Sequence, residues 1–226
     1  SKLTKNGIRI GLIGEYLFNG NTFDDSGYGN HGTISGNVAT SIDRFDKAQS
    51  AYLFAPGVNN KITIPNTAHF SLVNSLSISL WVKFNSNWNY HSESLIFKGS
   101  YPMNNGWEVN VNQDDSYFGT GNYSFQSAIS KGNGPLSPNY KQSFAEINKW
   151  RHVCYTYDNR MAKIYLDGVL RDSINVSGAL LNNNNNIIIG SSINPVSGTY
   201  EKLIDDVRIW NRALKPEEVT YLFTSN

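Results

Sequence analysis

Two segments near opposite ends of the chain carry the residue types that bind metal ions. The first, 16–33, is rich in turn residues and oxygen-bearing side chains, and the second, 203–214, has the pattern of a strand. Carboxylate, amide and carbonyl oxygens of this kind bind hard cations. If the fold brings the two ends together, one cation could tie the first strand to the last. The acidic and amide residues concerned are Asp24, Asp25, Asn30, Asp205 and Asp206.

The composition excludes several partners. The 226 residues include 19 Lys and Arg against 18 Asp and Glu, which gives a formal net charge of +1. That balance generates no field that would attract a nucleic acid, whereas it suits a neutral polysaccharide or a protein. No apolar stretch approaches the roughly 20 residues that cross a bilayer, so we predict no membrane insertion. The single cysteine, Cys154, lies in an alternating segment and is expected to be a buried, inert thiol.

Short alternating segments, separated by turn residues, run through the chain. In residues 75–84 apolar side chains occupy every second position, which is the pattern of a strand with one face in a core. Near the end, Pro216, Glu217 and Glu218 have the order of a helix start. We therefore predict an all-β, two-sheet antiparallel sandwich (a jelly roll) with one short C-terminal helix. We expect residues 1–226 to form a single domain of this type.

Several segments, in the same order along the chain, resemble one known family. They are Tyr16-Leu17-Phe18-Asn19-Gly20-Asn21, Asp24-Asp25-Ser26-Gly27, Asn30-His31-Gly32-Thr33, Leu76-Ser77-Ile78-Ser79-Leu80-Trp81-Val82-Lys83, Lys149-Trp150-Arg151-His152-Val153, Ala162-Lys163-Ile164-Tyr165-Leu166-Asp167-Gly168 and Ile204-Asp205-Asp206-Val207-Arg208-Ile209-Trp210. Together they resemble the laminin-G-like, concanavalin A-like lectin/glucanase jelly-roll superfamily in its bacterial form. The resemblance implies two packed sheets in which the first and last strands lie side by side.

The resemblance also implies a structural Ca²⁺ ion between those two strands. Carried over to this chain, its ligands would be Asp24, then Asn30 or His31 through a carbonyl or side chain, and Asp206 or Asp205. An alternative remains open, in which Asp24 and Asp25 cap turns and Asp206 pairs with Arg208 or Arg212.

Three polar loops hold aromatic and amide residues without a periodic partner. The resemblance implies that sugars bind on the concave sheet or on loops at its rim. A sugar needs planar hydrogen-bonding groups together with an aromatic face for its C–H patches. Alternatively, these rings pack as a small apolar cluster beneath a long loop, which we predict at residues 114–140 from its Gly, Ser, Asn and Pro content. The candidate ligand-binding residues are Trp88, Tyr90, Asn104, Trp107, Tyr117 and Tyr123.

Glycoside hydrolysis requires two paired carboxylates, and the chain has no intact form of the motif that supplies them in this superfamily. Glucanases of the superfamily carry Glu-x-Asp-x-x-Glu on one strand, whereas here Glu108 is followed by Asn110 and Gln113. We predict a non-catalytic carbohydrate-binding module of a larger secreted or cell-surface protein, of bacterial type. Its expected partners are an oligo- or polysaccharide and other domains of the parent protein. An adhesion or protein-interaction domain without sugar binding is the alternative, and a glycan-active enzyme is a third.

Overall fold

A computed structural model describes residues 5–72, 74–85, 92–100, 105–113, 123–131, 135–136, 139–140, 148–193 and 200–225. Over these ranges the helices are α1, Lys5–Ile8, and α2, Pro216–Thr224, with one 3₁₀ helix at Ala68–Phe70. The strands are β1 Leu12–Tyr16, β2 Thr33–Ser35, β3 Val38–Ser41, β4 Ala51–Phe54, β5 Lys61–Ile64, β6 Leu76–Phe84, β7 Ser92–Gly99, β8 Asn105–Gln113, β9 Tyr123–Lys131, β10 Pro135–Leu136, β11 Asn139–Tyr140, β12 Arg151–Tyr157, β13 Met161–Leu166, β14 Val169–Asn175, β15 Ile187–Ile189 and β16 Lys202–Trp210.

The strands form two antiparallel sheets. The first sheet has the order β14-β13-β12-β6-β16-β4-β3, and β1 also pairs with β16. The second sheet has the order β10-β9-β8-β7-β15-β5-β2, and β11 pairs with β9. With the helix α2 near the C-terminus, this architecture confirms the predicted two-sheet sandwich.

The main core lies between the two sheets. Strand β6 places Leu76, Ile78 and Leu80 on its inner face, as its period-2 pattern predicts. On the second sheet, Trp107 and Val109 of β8 face the same core. Since successive strand residues point to opposite faces, the inward set of each strand fixes which residues lie on the outer faces.

A second, smaller core covers the outer face of the first sheet. Helix α2 packs there through Val219 and Leu222, against Trp210 of β16 and Cys154 of β12. Burial, with the nearby Glu218 carboxylate, raises the pKa of the Cys154 thiol, as expected for an inert core residue. Neither described helix is long and apolar enough to cross a membrane.

Candidate functional site at the junction of the first and last strands

The two ends of the chain meet in the first sheet. Strand β1 pairs antiparallel with β16, from Leu12 opposite Trp210 to Tyr16 opposite Val207. The indole of Trp210 also donates to the carbonyl of Ile8 at 2.7 Å. The side-by-side placement of the first and last strands is therefore confirmed.

A β-bulge in β16 marks the point where this strand changes neighbours. Residues 202–204 pair with β4, whereas residues 207–210 pair with β1. The register against β6 shifts between Asp205 and Arg208, and Asp206 has φ +50°. Bulges re-aim side chains at such positions, and here two adjacent carboxylates lie where three strands converge.

Arg44, from the loop between β3 and β4, binds both carboxylates of the bulge. Its Nη1 lies 2.9 Å from Asp205 Oδ2, and its Nη2 lies 2.7 Å from Asp206 Oδ2. The guanidinium carbon lies 4.5 Å from the ring centroid of Phe45 and 4.5 Å from that of Trp81. Two carboxylates and two aromatic rings thus hold the guanidinium, which favours one rotamer of Arg44.

The ion pairs continue from the bulge to the first strand. Arg208 Nη2 lies 3.2 Å from Asp206 Oδ1, and Arg208 Nε lies 3.0 Å from Glu15 Oε1. The other oxygen of Glu15 binds Arg9. The result is an ion-pair chain of alternating charge, which runs in the order Asp205, Arg44, Asp206, Arg208, Glu15 and Arg9.

This ion-pair chain lines a cleft of about 480 Å³ on the outer side of the first sheet, which we name the terminal cleft. Its walls carry four basic and five acidic side chains, so their formal charges nearly cancel. The ring of Phe45 on its wall is 53% exposed. The lining residues are Ile8, Arg9, Glu15, Leu17, Asn19, Asp25, Asp43, Arg44, Phe45, Lys47, Ser50, Asp205, Asp206, Arg208, Tyr221, Leu222 and Ser225.

Asp205 is the most perturbed acid of the terminal cleft. Its burial and the neighbouring Asp206 carboxylate raise its pKa to about 8, against the lowering effect of Arg44. Burial, which disfavours the charged form of the carboxyl, is the larger cause, and repulsion from the Asp206 carboxylate adds to it. A proton on Asp205 brings the charge of the cleft walls still closer to zero.

Asp24 lies in the loop between β1 and β2 and accepts hydrogen bonds from the backbone around it. Its Oδ1 accepts from the N–H groups of Glu15 (3.0 Å) and Ser26 (2.9 Å), and its Oδ2 from that of Asn30 (3.0 Å). Burial alone would raise the pKa of this carboxyl, but these hydrogen bonds, with one from the Ser26 side chain, lower it overall. Asp24 therefore organises the loop as a capping group.

The other predicted metal ligands in this loop have partners of the same kind. The Asn30 carbonyl accepts the Tyr16 hydroxyl at 2.8 Å, and Asn30 Oδ1 accepts the Thr67 hydroxyl at 3.0 Å. Nδ1 of His31 accepts the Asp24 N–H at 3.0 Å. The oxygen and nitrogen atoms expected to face a cation are thus engaged with hydrogen-bond donors.

The residues present do not fit a calcium cage in this arrangement. Asp205 and Asp206 bind guanidinium groups, and Asp24, Asn30 and His31 do not line the terminal cleft. Within the described ranges, no three His, Cys, Asp or Glu side chains are grouped so that they could hold a metal ion. Arg208 supplies the positive charge that links β16 to Glu15 of β1, and Arg44 ties the loop between β3 and β4 to β16.

Among the predicted sugar-binding residues, the assignment of Trp107 is corrected by its position in the structure. This side chain is 3% exposed and belongs to the main core, because the alternation of β8 turns it inward. Tyr123 begins β9, and its side chain lies outside the described part of the chain. Trp88, Tyr90, Asn104 and Tyr117 also lie outside the described residues, so their assignment stays a prediction.

The outer face of β8 carries one acid rather than a catalytic pair. Glu108 accepts the Ser94 hydroxyl, and burial raises its pKa against the effect of bonds from Ser94 and Asn110. Asn110 lies on the same face, at the position where the glucanase pattern has a second acid. Glu93 of the adjacent strand binds Lys202 in the interior. This geometry is not that of the paired carboxylates of a hydrolase.

Sequence reasoning missed Arg44, Phe45 and Lys47, although they form one wall of the terminal cleft. They lie in a loop without periodicity, whose turn is fixed by Asp43 Oδ1 accepting the N–H groups of Phe45 (2.7 Å) and Lys47 (2.9 Å). The pattern Asp-x-x-x-Lys in a polar loop is too common to signal this site.

The two antiparallel sheets and the helix α2 define a two-sheet jelly-roll β-sandwich. Residues 56–220 match the laminin G family model of the Concanavalin A-like lectin/glucanases superfamily, so the chain belongs to this family. No curated protein sequence matches the chain.

Solved structures share the fold at low sequence identity. Domain 4 of AbnA, a GH43 extracellular arabinanase from Geobacillus stearothermophilus, was solved in complex with arabinotriose. It is 23% identical with a TM-score of 0.71, over 94% of this chain and 98% of that domain.

Two toxin structures are also similar. The binding domain of Paraclostridial Mosquitocidal Protein 1 is 19% identical, with a TM-score of 0.75 over 96% of this chain and 53% of that one. A structure of botulinum neurotoxin type C is 22% identical, with a TM-score of 0.74 over 98% of this chain and 53% of the toxin chain. Cell entry of that toxin depends upon interaction with two ganglioside molecules. The chain thus spans about half the length of these two structures, and it shares their fold over nearly all of its own length.

Proposed function

We propose that this chain is a non-catalytic carbohydrate-binding module of a larger secreted or surface protein, and that the terminal cleft is its sugar site. The observation that carries the proposal is the exposed ring of Phe45 in the wall of a polar cleft of nearly balanced charge. An aromatic face can cover the C–H patch of a sugar ring, while the polar walls bind its hydroxyl groups.

The hydrogen-bonding groups of the cleft are held in place before a ligand arrives. Asn19 Oδ1 accepts from Lys47 Nζ at 2.7 Å and from the Ser50 hydroxyl at 3.2 Å. The ion-pair chain likewise fixes its guanidinium and carboxylate groups. Preorganised donors and acceptors lower the entropic cost of binding. Because the opposite charges nearly cancel, a neutral saccharide suits the cleft better than a sialylated or phosphorylated one.

The structural neighbours support this reading and suggest the first ligand to test. The arabinanase domain, which this chain matches over nearly its whole length, was solved with arabinotriose. The same neighbour belongs to an extracellular enzyme, which supports export of the parent protein. Arabino-oligosaccharides are therefore the first probes, followed by a glycan array to set the sugar class.

The test is isothermal titration calorimetry with Phe45→Ala beside the parent chain. Loss of a central aromatic contact should weaken sugar binding about tenfold. Val169→Ala is the matched control, since Val169 is similarly exposed on β14 and does not line the cleft. Equal affinity of Phe45→Ala and the parent would exclude this cleft as the sugar site. A blank array with folded protein would favour the adhesion or protein-interaction alternative.

A structural Ca²⁺ ion bound by Asp24, Asn30, His31, Asp205 and Asp206 stays a prediction. The contacts of these residues do not favour it, because donors and guanidinium groups already engage them. A ligand that binds only the folded chain raises the melting temperature increasingly as its concentration rises, roughly with the logarithm of that concentration. A calcium-dependent rise in the melting temperature that is lost in Asp24→Asn would support a bound Ca²⁺ ion. Equal melting temperatures in calcium and in chelator would exclude it.

A further inference from the structure

A second aromatic surface lies on the loop between β1 and β2, away from the terminal cleft. The rings of Tyr28 and His69 contact each other with centroids 4.2 Å apart and planes at 47°. Tyr28 is 48% exposed, and His69, in the 3₁₀ helix, is also exposed. Neither residue lines the terminal cleft. We name this pair the Tyr28–His69 platform.

The backbone that carries the platform is rigidly held. Asp24 fixes the loop through the N–H groups of Ser26 and Asn30, on either side of Tyr28. Gly27 and Gly29, which flank Tyr28, have φ +102° and +71°, conformations that favour glycine. The Thr67 hydroxyl donates to Asn30 Oδ1 at 3.0 Å and ties the loop to the segment that carries His69.

Amide groups lie beside the segment that carries His69. Asn66, three residues before His69, donates its N–H to Oδ1 of the exposed Asn186 at 3.0 Å. Amides and a hydroxyl beside an exposed ring are the groups that a neutral saccharide requires. A stable protein partner usually buries about 800 Å² on each side, far more than two partly exposed rings supply.

We propose that the Tyr28–His69 platform is a second carbohydrate-contact surface, on which a neutral sugar ring stacks. The inference rests on the proposed function, because it assumes that the module binds glycans. The loop contributes Asp25 to the terminal cleft and Tyr28 to the platform, so one rigid segment connects both surfaces. Two contacts on one module raise the apparent affinity for a long polymer well above that for a short oligosaccharide.

The experiment combines calorimetry with amide chemical-shift mapping, using arabinotriose and the best hit of the glycan array as probes. At saturation we expect two equivalents of short oligosaccharide for each chain, and shift changes near residues 26–31 and 66–69 as well as 44–47. Tyr28→Ala should remove one equivalent of bound oligosaccharide. It should also weaken retention on an insoluble polysaccharide built from the same sugar about tenfold. His69→Ala should act in the same direction. Phe23→Ala is the matched control, because Phe23 is an exposed ring in contact with His31 of the same loop, at 4.9 Å between ring centroids.

The outcomes separate this inference from the proposed function. Chemical-shift changes confined to residues 44–47, together with an unchanged stoichiometry in Tyr28→Ala, would overturn the proposal for the platform. The proposal that the terminal cleft binds sugar would then still stand. An equal loss of binding in Phe23→Ala would also overturn it, since the loop as a whole would then be responsible. Shift changes at the platform alone would support it and refute the cleft. Absence of binding to every glycan would overturn both proposals.

Discussion

The ion pair between Lys202 and Glu93 allows a sharp test of the packing between the sheets. Both side chains are fully buried, and Lys202 Nζ contacts Glu93 Oε1 directly. The Nζ atom lies 5.9 Å from the ring centroid of Phe54 and 3.3 Å from the Tyr200 carbonyl. Glu93 also accepts the Tyr200 N–H at 3.0 Å. Lys202→Met removes the cation and leaves a buried carboxylate without its counter-charge.

We expect Lys202→Met to lower the free energy of unfolding by about 3–5 kcal/mol at pH 7, the usual cost of breaking a buried pair. A second substitution, Glu93→Gln, removes the orphaned charge and keeps an acceptor for Tyr200. The double variant should therefore regain about 2 kcal/mol. The measurement is urea unfolding of the parent, both single variants and the double variant.

The pH dependence gives an independent readout of the same pair. Burial raises the pKa of Glu93 even though Lys202 lowers it, so loss of Lys202 should raise this pKa further. When folding raises the pKa of a carboxyl, that group contributes its full stabilisation of the folded state at pH values below its pKa in the unfolded chain. This contribution is lost as the pH rises through its pKa in the folded chain. The deficit of Lys202→Met should therefore grow between pH 5 and 7, by up to about 1.4 kcal/mol per pH unit. A deficit that is constant with pH, and unrelieved by Glu93→Gln, would refute the reasoning.

Three further predictions concern the loop, the cleft and the helix. Asp24→Ala leaves three backbone N–H groups without their acceptor, so it should cost about 2–4 kcal/mol in urea unfolding at pH 7. A cost below 0.5 kcal/mol, relative to a surface Val169→Ala control, would contradict this role. The pKa of Asp205 is raised by folding to about 8, so the stability that it contributes is lost between pH 4 and 8. Asp205→Asn should flatten the stability curve over that range, and parallel curves would show that Asp205 is ionised in the fold. Leu222→Ala should cost about 2–3 kcal/mol by opening the second core, and an unchanged melting temperature would mean that α2 is not docked.

The fold could be predicted because its signals are local and periodic. Strand β6 carries apolar residues at every second position on its inner face, and α2 begins at Pro216 with acids in its first turn, as the sequence indicates. The pairing of the first and last strands followed from family resemblance instead. Contacts between β1 and β16 join residues about 200 positions apart, and periodicity carries no information on which strands pair.

The candidate site was less predictable because its chemistry depends on distant contacts. Asp205 and Asp206 were identified as charged groups of the last strand, but their partner Arg44 lies 161 residues away from Asp205. Nothing local distinguishes that arginine from other surface arginines. Trp107 was predicted to contact a sugar because polar loop residues precede it in the sequence. In the structure its side chain points into the main core from β8.

The change of partner in β16 determines how the molecule would respond to tension. The segment before β1 and the segment after β16 both leave the sheet at the same end of the ladder, where Leu12 lies opposite Trp210. A force that pulls these segments apart first loads the contacts just outside the ladder, such as the Asn211 N–H donated to the Gly11 carbonyl at 2.9 Å, and then opens the ladder one hydrogen bond at a time. Peeling of this kind meets less resistance than sliding two strands past each other. The bulge then divides the ladder, so that β1 can detach while the pairing of β16 with β4 and β6 holds the rest of the sandwich together.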